Sequence, residues 1–175
     1  MTDIRWGMIG VGAVAEHKSG PAFAHAVGGR LVAVAARRPE AAVDFADRHG
    51  IGLAYATPRA LIESAEVDAV YIATPPSSHA SLGNLVARAG KPCCIEKPMS
   101  VRLHEAESLV RAFEQAGQPL FVSYYRRSLP RFAHVRDLLR EGRLGPPTSV
   151  EWRLARPASA TTDDAWRLDP REAPG

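Results

Sequence analysis

Ile4-Arg5-Trp6-Gly7-Met8-Ile9-Gly10-Val11-Gly12-Ala13-Val14-Ala15 decides the fold. The first six residues are mostly apolar and run into a glycine, as a parallel strand buried on both faces does. Gly10-Val11-Gly12-Ala13-Val14-Ala15 is then a G-x-G-x-x-A loop opening a helix. Alone this pattern also describes an ordinary glycine-rich turn. A strand before it and a helix after it are the context of a phosphate loop. Gly10 permits the tight turn, Gly12 lets a pyrophosphate reach the backbone, and Ala15 lets the helix pack on the strand. The helix start adds N–H groups and a positive dipole end. Gly10, Val11, Gly12, Ala13 and Val14 are therefore expected to hold a dinucleotide.

Downstream, apolar strands alternate with helices. Ala13 to about His25 reads as a helix interrupted near Gly20-Pro21, and Leu31–Ala35 as a second strand. Pro39 starts a helix that Gly50 stops. A short helix over Pro58–Glu63 precedes a third strand over Val67–Ala73, which Pro75 and Pro76 end. Ser77 or Ser78 caps a helix to about Ala89. A fourth strand over Pro92–Glu96, a helix from about Leu103 to Ala116 and a fifth strand over Leu120–Ser123 complete the series. The expected fold is α/β, a Rossmann doubly wound parallel sheet over residues 1–123.

From residue 124 the texture changes. A helix from about Phe132 to Glu141 and an alternating strand over Thr148–Leu154 read as the start of an incomplete α+β substrate domain over 124–175. One helix and one strand have no core of their own, so more chain or a partner surface is expected beyond Gly175. A homo-oligomer is expected once that domain is complete.

Composition narrows the class. Of 175 residues, 46% are hydrophobic and 23% charged, as in an ordinary globular protein. No apolar run reaches the ~20 residues of a membrane span. No export signal is visible at the N-terminus, so a cytoplasmic location is expected. The net charge of +3 comes from arginines scattered among acids, which argues for a solvated surface and against a nucleic-acid patch. The adjacent Cys93 and Cys94 read as reduced side chains in a buried strand, with no metal site implied. His17, His25, His49, His104 and His134 show no ligand spacing or acid partner.

The end of the second strand addresses cofactor choice. An acid about 20 residues past the loop binds the ribose hydroxyls in NAD-binding folds. Here Ala36 occupies that place, and Arg37 and Arg38 follow. Arginine pairs with a 2′-phosphate, so NADP is expected in preference to NAD, with NAD remaining open.

Three further stretches carry a family resemblance from Ile4 to about Leu154. They are Val67-Asp68-Ala69-Val70-Tyr71-Ile72-Ala73-Thr74-Pro75-Pro76-Ser77-Ser78-His79, then Gly90-Lys91-Pro92 leading into Glu96-Lys97-Pro98, then Arg127 and Pro130 with Gly142-Arg143-Leu144-Gly145. With the phosphate loop they resemble the glucose–fructose oxidoreductase/inositol dehydrogenase (Gfo/Idh/MocA) family. The resemblance implies a two-domain NAD(P)-dependent oxidoreductase acting on sugars, cyclitols, related polyols or carbonyl compounds. It implies that Ala73, Thr74 and Pro75 line the cofactor, that His79 opens the helix beneath it, and that Glu96 and Lys97 flank the nicotinamide ribose. It implies Lys97 as the catalytic residue, and a cis peptide before Pro98. A lysine is a cation unless burial or a nearby charge lowers its pKa, so Lys97 serves as a shifted base or as a cation polarising a carbonyl.

The chain departs from the family pattern after Asp164-Ala165-Trp166-Arg167-Leu168-Asp169-Pro170: the family's acid and histidine have no counterpart before Gly175. Three readings remain open: a hydride-transferring oxidoreductase seen in part, an NADP-binding module without turnover, and a basic nucleotide-linked regulator of another Rossmann class.

Overall fold

A computed structural model describes residues 3–153 together with Ala155, Asp169, Arg171 and Glu172. Six strands form one sheet: β1 (Ile4–Ile9), β2 (Gly29–Ala35), β3 (Leu53–Tyr55), β4 (Ala69–Ile72), β5 (Cys93–Ile95) and β6 (Leu120–Val122). Their order is β3-β2-β1-β4-β5-β6, and every pairing is parallel. This is the doubly wound Rossmann arrangement, with the order reversing between β1 and β4. The connecting helices are α1 (Gly20–His25), α2 (Pro39–His49), α3 (Pro58–Glu63), α4 (His79–Arg88) and α5 (Leu103–Ala116).

The strands are legible because both of their faces are covered. On one face, Leu61 and Ile62 of α3, Val86 of α4, and Leu109 and Phe113 of α5 pack on Ile9, Ala35, Val70, Ile72 and Ile95. On the other, Ala42 and Phe45 of α2 pack with Ala15 on Met8, Val34 and Tyr71. Helix ends follow the glycines: Gly50, Gly90 and Gly117 adopt φ of 65°, 67° and 63°, where a side chain is strained.

Four expectations about local structure need correction. β3 was not anticipated; it is a three-residue edge strand, too short to show a pattern, and exists through pairing of Ala33, Val34 and Ala35 with Leu53, Ala54 and Tyr55. Gly20-Pro21 does not interrupt the first helix. A π-turn over Ala15–Ser19 runs directly into α1, with the Gly20 N–H bonded to the Ala15 carbonyl. Ser78 occupies the cap position of α4 without a side-chain cap; its hydroxyl lies 2.7 Å from Thr74 Oγ1 and 2.9 Å from the Pro75 carbonyl. Residues 148–153 form no strand. Alternation suits a strand but does not supply the neighbour whose backbone groups a strand needs; Leu154 lies outside the described residues.

Two compact units divide the chain, the first reaching Ser123 and including Asp169, Arg171 and Glu172, the second opening at Tyr124. The second holds α6 (Pro130–Arg140), which buries no residue. Within it the Phe132 and Trp152 rings lie 6.0 Å apart. The Asp164–Pro170 stretch lies outside the described residues except for Asp169.

Both cysteines are free. Burial pushes the Cys93 thiol up and the Cys94 thiol up to about 11, so both are inert thiols at neutral pH. His49 does have an acid partner: its Nε2 lies 3.2 Å from Glu16 Oε1, and Arg48 bonds the same carboxylate at 2.7 Å. That pair spans two elements, so sequence spacing does not reveal it.

Candidate dinucleotide site

One row of paired residues crosses the carboxyl edge of the sheet: Tyr55, Ala35, Ile9, Ile72, Ile95 and Val122. The next rung binds the loops to that edge. Gly10 N–H donates to the Ala35 carbonyl at 2.8 Å, Ala73 N–H to Ile9 at 2.8 Å, Glu96 N–H to Ile72 at 2.9 Å, and Ser123 N–H to Ile95 at 2.8 Å. Gly10, Ala36, Ala73 and Glu96 thus stand side by side where ligands of open α/β sheets bind. The sheet brings together the phosphate loop, Arg37 and Arg38, Ala73-Thr74-Pro75 and Glu96-Lys97, although more than 80 residues of sequence separate the first from the last.

The two loop glycines have different jobs. Gly10 has φ of 99°, and a Cβ there would lie 2.7 Å from the Ala73 carbonyl oxygen and 2.8 Å from its carbon. It is required by the turn and by the close approach of β4. At Gly12 a Cβ would meet nothing within 4 Å, so the loop opens onto free space. Gly12 and Ala13 are exposed, Val11 and Val14 are half-buried, and Ala15 is fully buried beneath the loop. First-turn N–H groups have no partner within a helix. A cradle kept open by Gly12 and floored by Ala15 fits a pyrophosphate, and so fits a dinucleotide.

After β2, Ala36 is buried and offers no hydrogen-bond acceptor from its side chain. Arg37 and Arg38 are exposed, and among the described residues neither pairs with an acid.

After β4 and β5, the loops are tied to each other. His79 is fully buried. Its Nε2 lies 2.7 Å from the Thr74 carbonyl oxygen and its Nδ1 2.8 Å from that of Pro98. The carbonyls favour a protonated ring, but burial is the larger effect and holds the His79 pKa below its ordinary value. A neutral ring donates to only one of the two. With no exposed surface, His79 acts as a bracket between the loops and presents nothing of its own to a ligand. The Lys97–Pro98 peptide is cis.

Glu96 is half-buried and Lys97 exposed. The Glu96 carboxylate accepts from the Tyr71 hydroxyl at 2.6 Å and from the Lys97 N–H at 3.2 Å. Ser19 Oγ lies 2.9 Å from the Tyr71 hydroxyl oxygen. Neither Ser19 nor Tyr71 was expected from sequence at this site. Tyr71 sits in an apolar strand run where an aromatic reads as core, and Ser19 lies in a π-turn that leaves no pattern. Among the described residues no cluster of His, Cys, Asp and Glu is placed to hold a metal ion, and no helix is long and apolar enough to cross a membrane.

Comparison with known proteins agrees with the fold. The model of the Gfo/Idh/MocA oxidoreductase family, NAD-binding Rossmann fold, matches residues 4–124. The chain belongs to that family. It is 39% identical over 98% of its length to an oxidoreductase of Formosa agariphila, covering 55% of that protein. It is 33% identical over 91% of its length to inositol 2-dehydrogenase of Rhizobium meliloti, covering 48% of it. A 3-ketoreductase from Actinomadura kijaniata, solved with NADP and TDP-benzene, superposes with a TM-score of 0.75 at 33% identity, over 81% of this chain and 43% of that one. The chain spans about half the length of the curated relatives it matches.

Proposed function

We propose that this chain is the cofactor-binding part of an NADP-dependent oxidoreductase that transfers hydride to or from a carbon of a sugar, cyclitol or related polyol. Residues 1–123, with Asp169, Arg171 and Glu172 in the same compact unit, form its nucleotide domain, and the segment opening at Tyr124 begins its substrate domain. The observation that carries the reading is the meeting of the phosphate loop with Glu96-Lys97 on one sheet edge, beside the reversal of strand order. Relatives that include an inositol 2-dehydrogenase and a 3-ketoreductase solved with NADP and TDP-benzene support the substrate class.

The chain's residues divide the work. Gly10, Val11, Gly12, Ala13 and Val14 receive the pyrophosphate at the helix start. Arg37 and Arg38 pair with the 2′-phosphate, where an acid would repel it. Ala73, Thr74 and Pro75 wall the site, with His79 fixing Thr74 from beneath. Glu96 accepts a hydrogen bond from a ribose hydroxyl at the nicotinamide end. When bound, the nicotinamide supplies or accepts the hydride. Lys97, exposed at the edge, polarises the substrate oxygen and moves its proton.

Titrating the 175-residue chain with NADPH and NADH, followed by cofactor fluorescence, tests the nucleotide half of this reading. NADPH is expected to bind about tenfold or more tightly than NADH, with the preference lost in the Arg37→Ala/Arg38→Ala double variant. Equal affinities would remove the NADP assignment; binding of neither would remove the site. In an enzyme with a complete substrate domain, Lys97→Met is expected to leave NADPH affinity within about twofold while abolishing NADP-linked oxidation of a panel of inositols and sugars; unchanged turnover would remove the catalytic assignment.

A further inference from the structure

The Glu-Lys-Pro loop is approached from two sides: His79 Nδ1 lies 2.8 Å from the Pro98 carbonyl oxygen, and the Tyr71 hydroxyl donates to the Glu96 side chain. The second hold is unusual in its reach. Tyr71 is a strand residue 6% exposed, yet its hydroxyl extends beyond the end of β4 to the carboxylate that follows β5. A phenol has one proton. Because Tyr71 donates it to Glu96 Oε1, the Ser19 hydroxyl must donate to the Tyr71 oxygen, and Ser19 is itself only 7% exposed. Burial, together with the Glu96 carboxylate, raises the Tyr71 pKa, so the donor persists across the physiological range.

Ser19 reaches Tyr71 because of the π-turn. The extra residue between Ala15 and Gly20 rotates Ser19 onto the sheet side of the helix, and such turns recur at functional sites. Gly20 makes this possible: a Cβ there would lie 2.7 Å from the Ala15 carbonyl oxygen. The helix that begins at the phosphate loop is thereby bonded, through two hydroxyls, to the residue beside Lys97.

We propose that Tyr71 is a positioning residue for the nicotinamide end of the site, with Ser19 directing its proton, so that the two together aim the Glu96 carboxylate at the nicotinamide ribose. This rests on the reading of the sheet edge as an NADP site. Each carboxylate oxygen has two lone-pair directions. Tyr71 occupies one on Oε1 and the Lys97 N–H one on Oε2, leaving one on each for a ribose hydroxyl. Without Tyr71 the carboxylate is free to rotate, and that geometry is no longer prepared before the cofactor arrives.

The test compares two probes on the 175-residue chain. NADPH engages both ends of the site; adenosine 2′,5′-bisphosphate lacks the nicotinamide and its ribose. Tyr71→Phe is expected to weaken NADPH about tenfold, equivalent to about 1.4 kcal/mol, and to leave adenosine 2′,5′-bisphosphate within about twofold. Ser19→Ala is expected to weaken NADPH about threefold with the same selectivity, and Ser19→Thr to restore it. In a double-mutant cycle, adding Tyr71→Phe to Glu96→Gln is expected to cost nothing further. Unchanged NADPH affinity in Tyr71→Phe, equal loss of both probes, or additive losses in the cycle would each overturn the positioning role. If Tyr71→Phe fails to fold, Ser19→Ala and Glu96→Gln decide by the same probe comparison. A wild-type chain that binds neither probe overturns the NADP site itself, and the proposal with it.

Discussion

Alanine at Gly10 and alanine at Gly12 are the same chemical change two residues apart, and the structure assigns them opposite consequences. At Gly10 the new methyl runs into one peptide group: the Ala73 oxygen at 2.7 Å, the Ala73 carbon at 2.8 Å and the Thr74 nitrogen at 3.0 Å. Those atoms are backbone just past the end of β4, where the Ala73 N–H is bonded to the Ile9 carbonyl, and cannot swing aside as a side chain tip can. The positive φ adds roughly 1–2 kcal/mol of strain for an L-residue, and overpacking adds about 1–3 kcal/mol. The Gly10→Ala chain should therefore lose roughly 2–5 kcal/mol, a large share of the 5–15 kcal/mol typical of a domain. For a chain of this size that corresponds to a drop in Tm of roughly 5–15 °C.

At Gly12 no atom lies within 4 Å of the new methyl, and φ lies outside the left-handed region. Gly12→Ala should unfold within about 1 kcal/mol of wild type, as a surface change does. It should nevertheless bind NADPH at least about tenfold more weakly, because the methyl occupies the space the pyrophosphate needs. Thermal unfolding with and without NADPH reads both quantities on one instrument. A Gly12→Ala chain with wild-type cofactor affinity would refute the placing of the phosphates. A Gly10→Ala chain with wild-type Tm would refute the argument from the β1–β4 approach.

Two further changes probe the scaffold. Gly83 lets α4 press on α5: a Cβ there would lie 2.7 Å from Leu109 Cδ1 and 3.1 Å from Ile95 Cδ1. Gly83→Ala should cost about 1–3 kcal/mol in urea unfolding, and Gly83→Ala combined with Leu109→Val should recover part of it. Asp68 accepts from the Arg5 guanidinium at 2.8 Å and from the Arg5 N–H at 2.8 Å, which holds its pKa below the ordinary carboxylate value. Its contribution to stability is therefore present above about pH 4 and lost as pH falls through the depressed folded value. Asp68→Asn should lower stability at neutral pH and flatten that acid slope; an unchanged slope would remove the ion pair from the account.

Much of this fold is written in local chemistry. β1, β2 and β4 announce themselves as apolar runs because parallel strands are buried on both faces. Gly50, Gly90 and Gly117 mark helix ends because only glycine accepts those φ values cheaply. The phosphate loop is legible for the same reason: its glycines answer local demands of turn and approach. β3 is not legible, since three edge residues carry no period. The alternation at 148–153 misleads, since it records which residues would face out of a sheet and not whether a sheet is there.

The sequence by itself determined a strand–helix alternation, a phosphate loop, an arginine pair in place of an acid, and a Glu-Lys-Pro motif. Tertiary structure decided how these meet. That Tyr71, 52 residues from Ser19 and 25 from Glu96, joins the two is a property of strand order and of one extra residue in a helical turn. That His79 spans the carbonyls of Thr74 and Pro98 depends on β4 and β5 lying side by side. Turns and helix ends are set by interactions within a few residues, which a sequence displays. Hydrogen bonds between distant side chains are set by where the sheet delivers them, and only the folded chain holds that distance.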